Sequence, residues 1–152
     1  MSSKSEQAEE YFKQGYNCSQ AVAAAFSDEI GIDQGRLLKM ASSFGGGMGR
    51  MREVCGAVSG MFFVAGALYG YDDPKDPQAK KEHYARIQEL AVQFKAENGS
   101  IICRELLGQE GKDTNPNPSV RTQEYYKKRP CAKMVGTAAQ LMEMYIENNS
   151  LH

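Results

Sequence analysis

Four cysteines, Cys18, Cys55, Cys103 and Cys131, are the residues of this 152-residue chain best suited to chemistry. Intervals of 37, 48 and 28 residues separate them, so there is no CxxC pair and any shared site must be assembled by the fold. Their local settings repeat. Asn17, a good N-cap, precedes Cys18; Cys55 follows Arg52-Glu53 and precedes Gly56. Cys103 stands third after the capping candidate Ser100, and Cys131 follows Pro130, which suits a first helical turn. A thiol at a helix N-terminus is more acidic than a free one, because the exposed N–H groups and the helix dipole stabilise the thiolate. The thiolate is both the nucleophile and the metal ligand. Nearby cations add to the effect: Arg104, beside Cys103, is the expected thiolate stabiliser there, and Arg50 or Arg52 is placed to serve Cys55. A single free cysteine is more often a small core hydrophobe. Four in the same setting point to function.

The second candidate is Gly45, Gly46, Gly47 and Gly49, within Phe44 to Arg50. Neither the GxxxxGK[ST] pattern nor a preceding strand is present, which excludes a phosphate loop and a dinucleotide fingerprint. The run reads as a loop free to take positive φ, forming a lid or an N–H-lined wall beside Cys55 where a ligand could sit. His83 stands alone on a helical stretch and His152 ends the chain, so neither reads as a ligand or base. The methionines, Met48, Met51 and Met61 among them, read as core filler.

The elements that must position these residues are helical. Expected helices run from Ser3 to Gln14, from Cys18 to a stop at Gly31, and from an Asp33 cap to Met40. Val54 to Tyr71 carries no formal charge and just reaches the lower length limit of a membrane span. No second span exists, and a central helix buried on all sides is also apolar all round, so the buried reading is preferred. Its GxxxG spacings, Gly56/Gly60 and Gly66/Gly70, suit close helix approach, within the chain or in a homodimer. Gln78 to Asn98 is amphipathic, with Tyr84, Ile87, Leu90, Ala91 and Phe94 on one stripe. A short helix, Ile101 to Leu107, and a final one with Cys131, Val135, Ala138, Leu141, Met142 and Tyr145 on its core face follow. With no repeat and no convincing strand, residues 1–152 read as one all-α domain: a bundle of about five helices around a Gly-rich central helix.

Composition narrows the partners. Eighteen basic and nineteen acidic residues give a net charge of −1, too little field to draw in nucleic acid or anionic lipid. Lys127-Lys128-Arg129 is short and reads as a solvated patch. The polar N-terminus has no apolar h-region, so a soluble cytoplasmic protein is expected. In that compartment spaced cysteines are more often catalytic or metal-binding than structural disulfides.

Tyr16-Asn17-Cys18-Ser19-Gln20-Ala21-Val22, Gly45 to Arg50 running on to Cys55-Gly56-Ala57-Val58-Ser59-Gly60, Gly99 to Gly108 around Cys103, and Cys131 with its helix form an ordered set of motifs. In that order and spacing, over about residues 5 to 147, the chain resembles the family of small redox-active proteins named for the cysteine pattern C_GCAxxG_C_C. The Cys55 motif reads CGAxxG. The resemblance implies a redox-active cysteine protein of a kind common in anaerobes, with the four cysteines as its redox set and no substrate or redox partner specified. Three readings follow. The favoured one is thiol–disulfide exchange or electron transfer between cysteines on different helices. A second is a zinc or iron–sulfur site with all four cysteines as ligands, against which the wide spacing argues. The third is a non-catalytic helical module in which the thiols are spectators.

Overall fold

The computed structural model describes residues 3–150; His152 lies outside them. Helix follows helix: α1 (Lys4–Lys13), α2 (Cys18–Ala25), α3 (Ser27–Ile30), α4 (Gln34–Ala41), a 3-10 turn Ser42–Phe44, and α5 (Gly45–Met48). The second half comprises α6 (Gly56–Tyr69), α7 (Pro77–Asn98), α8 (Cys103–Leu107), a 3-10 turn Gly108–Lys112, α9 (Gln123–Lys128) and α10 (Cys131–Asn148). The all-α expectation holds. The one β feature among the described residues is an isolated antiparallel bridge between Val54 and Ile102.

Capping chemistry sets the ends much as the sequence implies. Ser3, Asn17, Asp33 and Asp76 accept a backbone N–H at the starts of α1, α2, α4 and α7, and Gln20 returns the bond to Asn17 as a capping box. Gly31 and Gly99 close α3 and α7 in the left-handed conformation. The expected helix from Cys18 to Gly31 breaks at Phe26, where φ is −110° and ψ is 17°.

Five helices carry the core: α1, α2, α6, α7 and α10. All-round burial covers the first half of α6, Gly56 to Met61, while Ala67 beyond it is exposed. Helix α2 is equally enclosed: Ala21 to Phe26 are all buried between α1, α6 and α10. Small residues make this possible. A Cβ on Gly60 would lie 2.8 Å from the Ser19 carbonyl oxygen, and one on Gly56 would lie 3.1 Å from Cys18 Cβ. The first GxxxG spacing therefore lets α6 close on α2. A Cβ built on Gly66, in the second spacing, would meet nothing within 4 Å beyond its own stretch of helix.

On α7 only Leu90 and Phe94 of the expected stripe are fully buried. Tyr84 is exposed, because the helix overhangs the bundle there and the ring meets Tyr71 and Lys80 instead. Met61 is core, whereas Met51 is 60% exposed and fills nothing. No helix among the described residues is long and apolar enough to cross a membrane.

Candidate functional site

The helix starts converge. Cys18, Cys103 and Cys131 are the first residues of α2, α8 and α10, and Cys55 is the N-cap of α6. All four line a single cavity of about 460 Å³. Gly45, Gly46, Gly47 and Gly49 line it too.

Two local devices hold Cys55 and Cys103 in place. The isolated bridge ties their segments together: Cys55 N–H donates to the Ile101 carbonyl at 2.7 Å, and Cys103 N–H to the Glu53 carbonyl at 2.6 Å. The glycine run supplies the other. Rather than an open loop, it is a left-handed turn, with positive φ at Gly46, Gly47, Met48, Gly49 and Arg50 in succession and again at Arg52. Each L-residue held this way costs about 1–2 kcal/mol, so Met48, Arg50 and Arg52 are strained. The turn is locked by the N–H groups of Arg50, Arg52 and Glu53 donating to the carbonyls of Gly45, Gly46 and Gly47. Gly47 must be glycine, since a Cβ there would sit 2.6 Å from Cys103 Cβ and 2.8 Å from Arg52 Cα.

The turn delivers arginines to the cavity. Arg52 is 2% exposed; its Nε donates to the Asp113 carbonyl at 2.8 Å, and its Nη1 to Cys103 Sγ at 3.7 Å. Arg50 reaches Ser119 at 3.0 Å and the Asp113 carboxylate at 3.2 Å. Across the cavity, Arg129 lies over the Tyr125 ring and pairs with Glu110 at 3.3 Å. Arg121 lies 4.1 Å from the Phe12 ring centroid and donates to the carbonyls of Phe12 and Tyr16.

This corrects two expectations. Arg104 does not serve the Cys103 thiol: its guanidinium is half-exposed, donating to the Arg52 carbonyl at 3.1 Å and pairing with Glu53 at 3.2 Å. Successive side chains on a helix point about 100° apart, so the neighbour of an inward cysteine faces outward. Arg52 takes that role instead, and for Cys103 rather than Cys55. Arg129 is not part of a solvated patch either, although Lys127 and Lys128 beside it are exposed. Arg121, Arg129 and Tyr125 are the site residues that the sequence reading missed. The signal was the adjacency of Arg129 to Pro130-Cys131; nothing local marked Arg121.

The expectation of four acidic thiols fails at three of them. Burial drives Cys55 up to about 12, although the N–H groups of Ala57 and Val58 aim at its sulfur. Burial also raises Cys103, with Arg52 opposing through its hydrogen bond and charge. Cys18 is raised most by its hydrogen bond to Cys131, which ionising would forfeit, and then by burial. Cys131 alone goes down, to about 7: the Cys18 thiol donates to its thiolate, and Arg129, Arg121 and Arg52 add their charge against burial. Tyr125, half-buried and close to both sulfurs, is pushed up to about 12, chiefly by that burial.

Among the described residues no group of three or more His, Cys, Asp or Glu side chains stands in a position to hold a metal ion. His83 is far from this chemistry; its Nδ1 lies 2.9 Å from Arg86, and burial followed by that cation lowers its pKa.

An all-α domain with four helix-start thiols around one cavity is the class of protein defined here. Residues 16–145 match the family model described as "Putative redox-active protein (C_GCAxxG_C_C)", and the chain belongs to that family. No curated protein and no solved structure matches it.

Proposed function

We propose that the protein is a thiol–disulfide exchange protein in which Cys131 is the attacking thiolate and Cys18 the resolving thiol. The observation that carries this reading is that Cys18 and Cys131 begin two packed helices and line one cavity together with Arg52, Arg121 and Arg129, whose charge lowers Cys131 alongside the neighbouring Cys18 thiol. A thiol of pKa near ambient pH is the best attacker, because thiolate fraction and intrinsic nucleophilicity are then jointly highest.

The cycle balances with a substrate disulfide as oxidant. Cys131 Sγ⁻ attacks one sulfur of R–S–S–R′, forming a Cys131–S–R mixed disulfide and expelling R′S⁻, which takes up a proton. Cys18 then gives up its proton to solvent and attacks Cys131 Sγ, closing the Cys18–Cys131 disulfide and expelling RS⁻. Two protein thiols are oxidised and one substrate disulfide is reduced to two thiols. A dithiol reductant, run through the same steps in reverse, reopens the protein disulfide.

Cys55 and Cys103 do not enter this cycle. Their pKa values stand above the ordinary range, which keeps them protonated and protected from over-oxidation. The test is thiol counting and peptide mapping after anaerobic treatment with a disulfide oxidant. The expected result is a reversible loss of two thiols per chain, mapped to Cys18 and Cys131. No reversible loss, or a disulfide involving Cys55 or Cys103 instead, overturns the assignment.

A further inference from the structure

The cavity's charge is as uneven as its thiols. Four arginines line it, Arg50, Arg52, Arg121 and Arg129, and among the described residues no Asp, Glu or Lys does. That is a cationic chamber in a chain of net charge −1. Two of the arginines are neutralised from outside the lining, Arg50 by Asp113 and Arg129 by Glu110, both carboxylates partly open to solvent. Among the described residues Arg52 and Arg121 have no carboxylate partner and are held by backbone carbonyls. At Arg52 the observation is sharper. The residue is almost fully buried, and its Nη2 has no hydrogen-bond partner among the described residues. A buried guanidinium donor with nothing to donate to is costly unless something arrives to accept it. The strained turn that carries Arg52 holds it beside the thiols.

The rest of the lining limits what can arrive. Phe12, Leu106, Leu107, Tyr125 and Met134 give the chamber an apolar wall. Its volume of about 460 Å³ is in the range of small-molecule sites and too small for a folded partner.

We infer that this chamber selects low-molecular-weight organic disulfides bearing carboxylates, with Arg52 and Arg121 receiving the anionic groups while the apolar wall holds the body next to Cys131. The inference rests on the exchange reading for its substrate class and on the arginines for its charge. A carboxylate that reaches Arg52 Nη2 gains a charge-assisted hydrogen bond and satisfies a buried donor that is otherwise unpartnered among the described residues. It also leaves the attacking sulfur facing a disulfide already held in place.

The experiment separates charge recognition from redox chemistry. Binding to the reduced protein is measured calorimetrically with thiodibenzoate, a redox-inert thioether dicarboxylate, and with its neutral dimethyl ester. Reaction rates are measured with dithiodibenzoate and with the neutral dithiodipyridine, each relative to a free model thiol. The dicarboxylate is expected to bind about tenfold or more tighter than the ester, and the anionic disulfide to be favoured similarly. Arg52→Gln and Arg121→Gln, each confirmed as folded by circular dichroism, should erase most of both preferences, and Arg52→Lys should keep part of them. The neutral disulfide controls for any change in Cys131 itself. Equal binding of acid and ester, or binding of neither, overturns the inference whatever the thiols do. Selective binding of the dicarboxylate without any Cys18–Cys131 disulfide forming upholds the anion site and removes the exchange reading.

Discussion

The Cys18–Cys131 side of the cavity and the Cys55–Cys103 side begin from the same local geometry, a sulfur at the first turn of a helix, and end with different thiols. On the first side, one sulfur donates to the other and three arginine charges reach Cys131, which falls to about 7. On the second, burial dominates, and Cys55 rises to about 12 despite two backbone N–H groups aimed at it. A helix start contributes at most about half a charge, whereas full desolvation of a thiolate can shift its pKa by several units. The helix terminus therefore supplies a bias, and neighbouring cations and thiols decide whether that bias wins.

Alkylation by iodoacetamide under native conditions gives the largest expected separation of the two sides. At pH 7 about half of Cys131 is thiolate, against roughly one part in 100,000 for Cys55. The lower intrinsic nucleophilicity of the more acidic thiol returns part of that difference, so Cys131 should react about 100–1,000 times faster. Its rate should rise with pH through a midpoint at about 7 and level off roughly one to two units higher, where the thiolate fraction saturates. Cys131→Ser should remove the fast phase entirely. Cys18→Ala, which removes the neighbouring donor altogether, should shift the midpoint upward. If Cys55 or Cys103 is the first cysteine labelled, the contrast between the two sides is void.

The Cys55–Cys103 side also depends more on backbone strain, and Gly47→Ala probes this. The new methyl would meet Cys103 Cβ and the Arg52 backbone below 3 Å, on a residue with φ of +72°. Neither obstacle is the end of a flexible side chain. The expected cost is about 3 kcal/mol of unfolding free energy in urea. Gly66→Ala, inside α6 with nothing beyond its own stretch of helix within 4 Å, should instead be neutral or stabilise by roughly 0.5–1 kcal/mol. Similar costs at both glycines would mean that the left-handed turn is not held against Cys103.

How far the sequence discloses this site follows from the range of the forces involved. Helix starts are local. Asn17 and Asp33 cap as read, and each cysteine falls within one residue of a helix start. The positive φ of the glycine run was also legible, because glycine is the residue that takes it without cost. Its winding into a turn that forces Met48, Arg50 and Arg52 to the same sign was not, since that requires Cys103 and the 113–119 segment to press on it. The acidity of the thiols was not legible either. It depends on burial and on Arg121 and Arg129, which the chain brings to the cavity from beyond residue 120. Arg104 shows the hazard of adjacency: next to Cys103 in sequence, it is directed away from it by helical geometry.

Arg104 supplies the smallest effect and the sharpest control. Its guanidinium pairs with Glu53, with both partners about half-exposed, an interaction worth little in water. It does line up on the Arg52 carbonyl, so Arg104→Gln loosens one backbone contact of the strained turn without removing any charge from the cavity lining. Arg104→Gln should therefore leave the labelling rate of Cys103 unchanged within about twofold. Arg52→Gln removes both the hydrogen bond and the charge that oppose burial at Cys103, so it should raise that thiol further and slow its already slow labelling. Labelling followed by mass spectrometry reads the two variants side by side. Equal slowing in both would mean that the turn transmits to Cys103 through its backbone; an effect confined to Arg52→Gln locates the electrostatic control of that thiol in a single buried guanidinium.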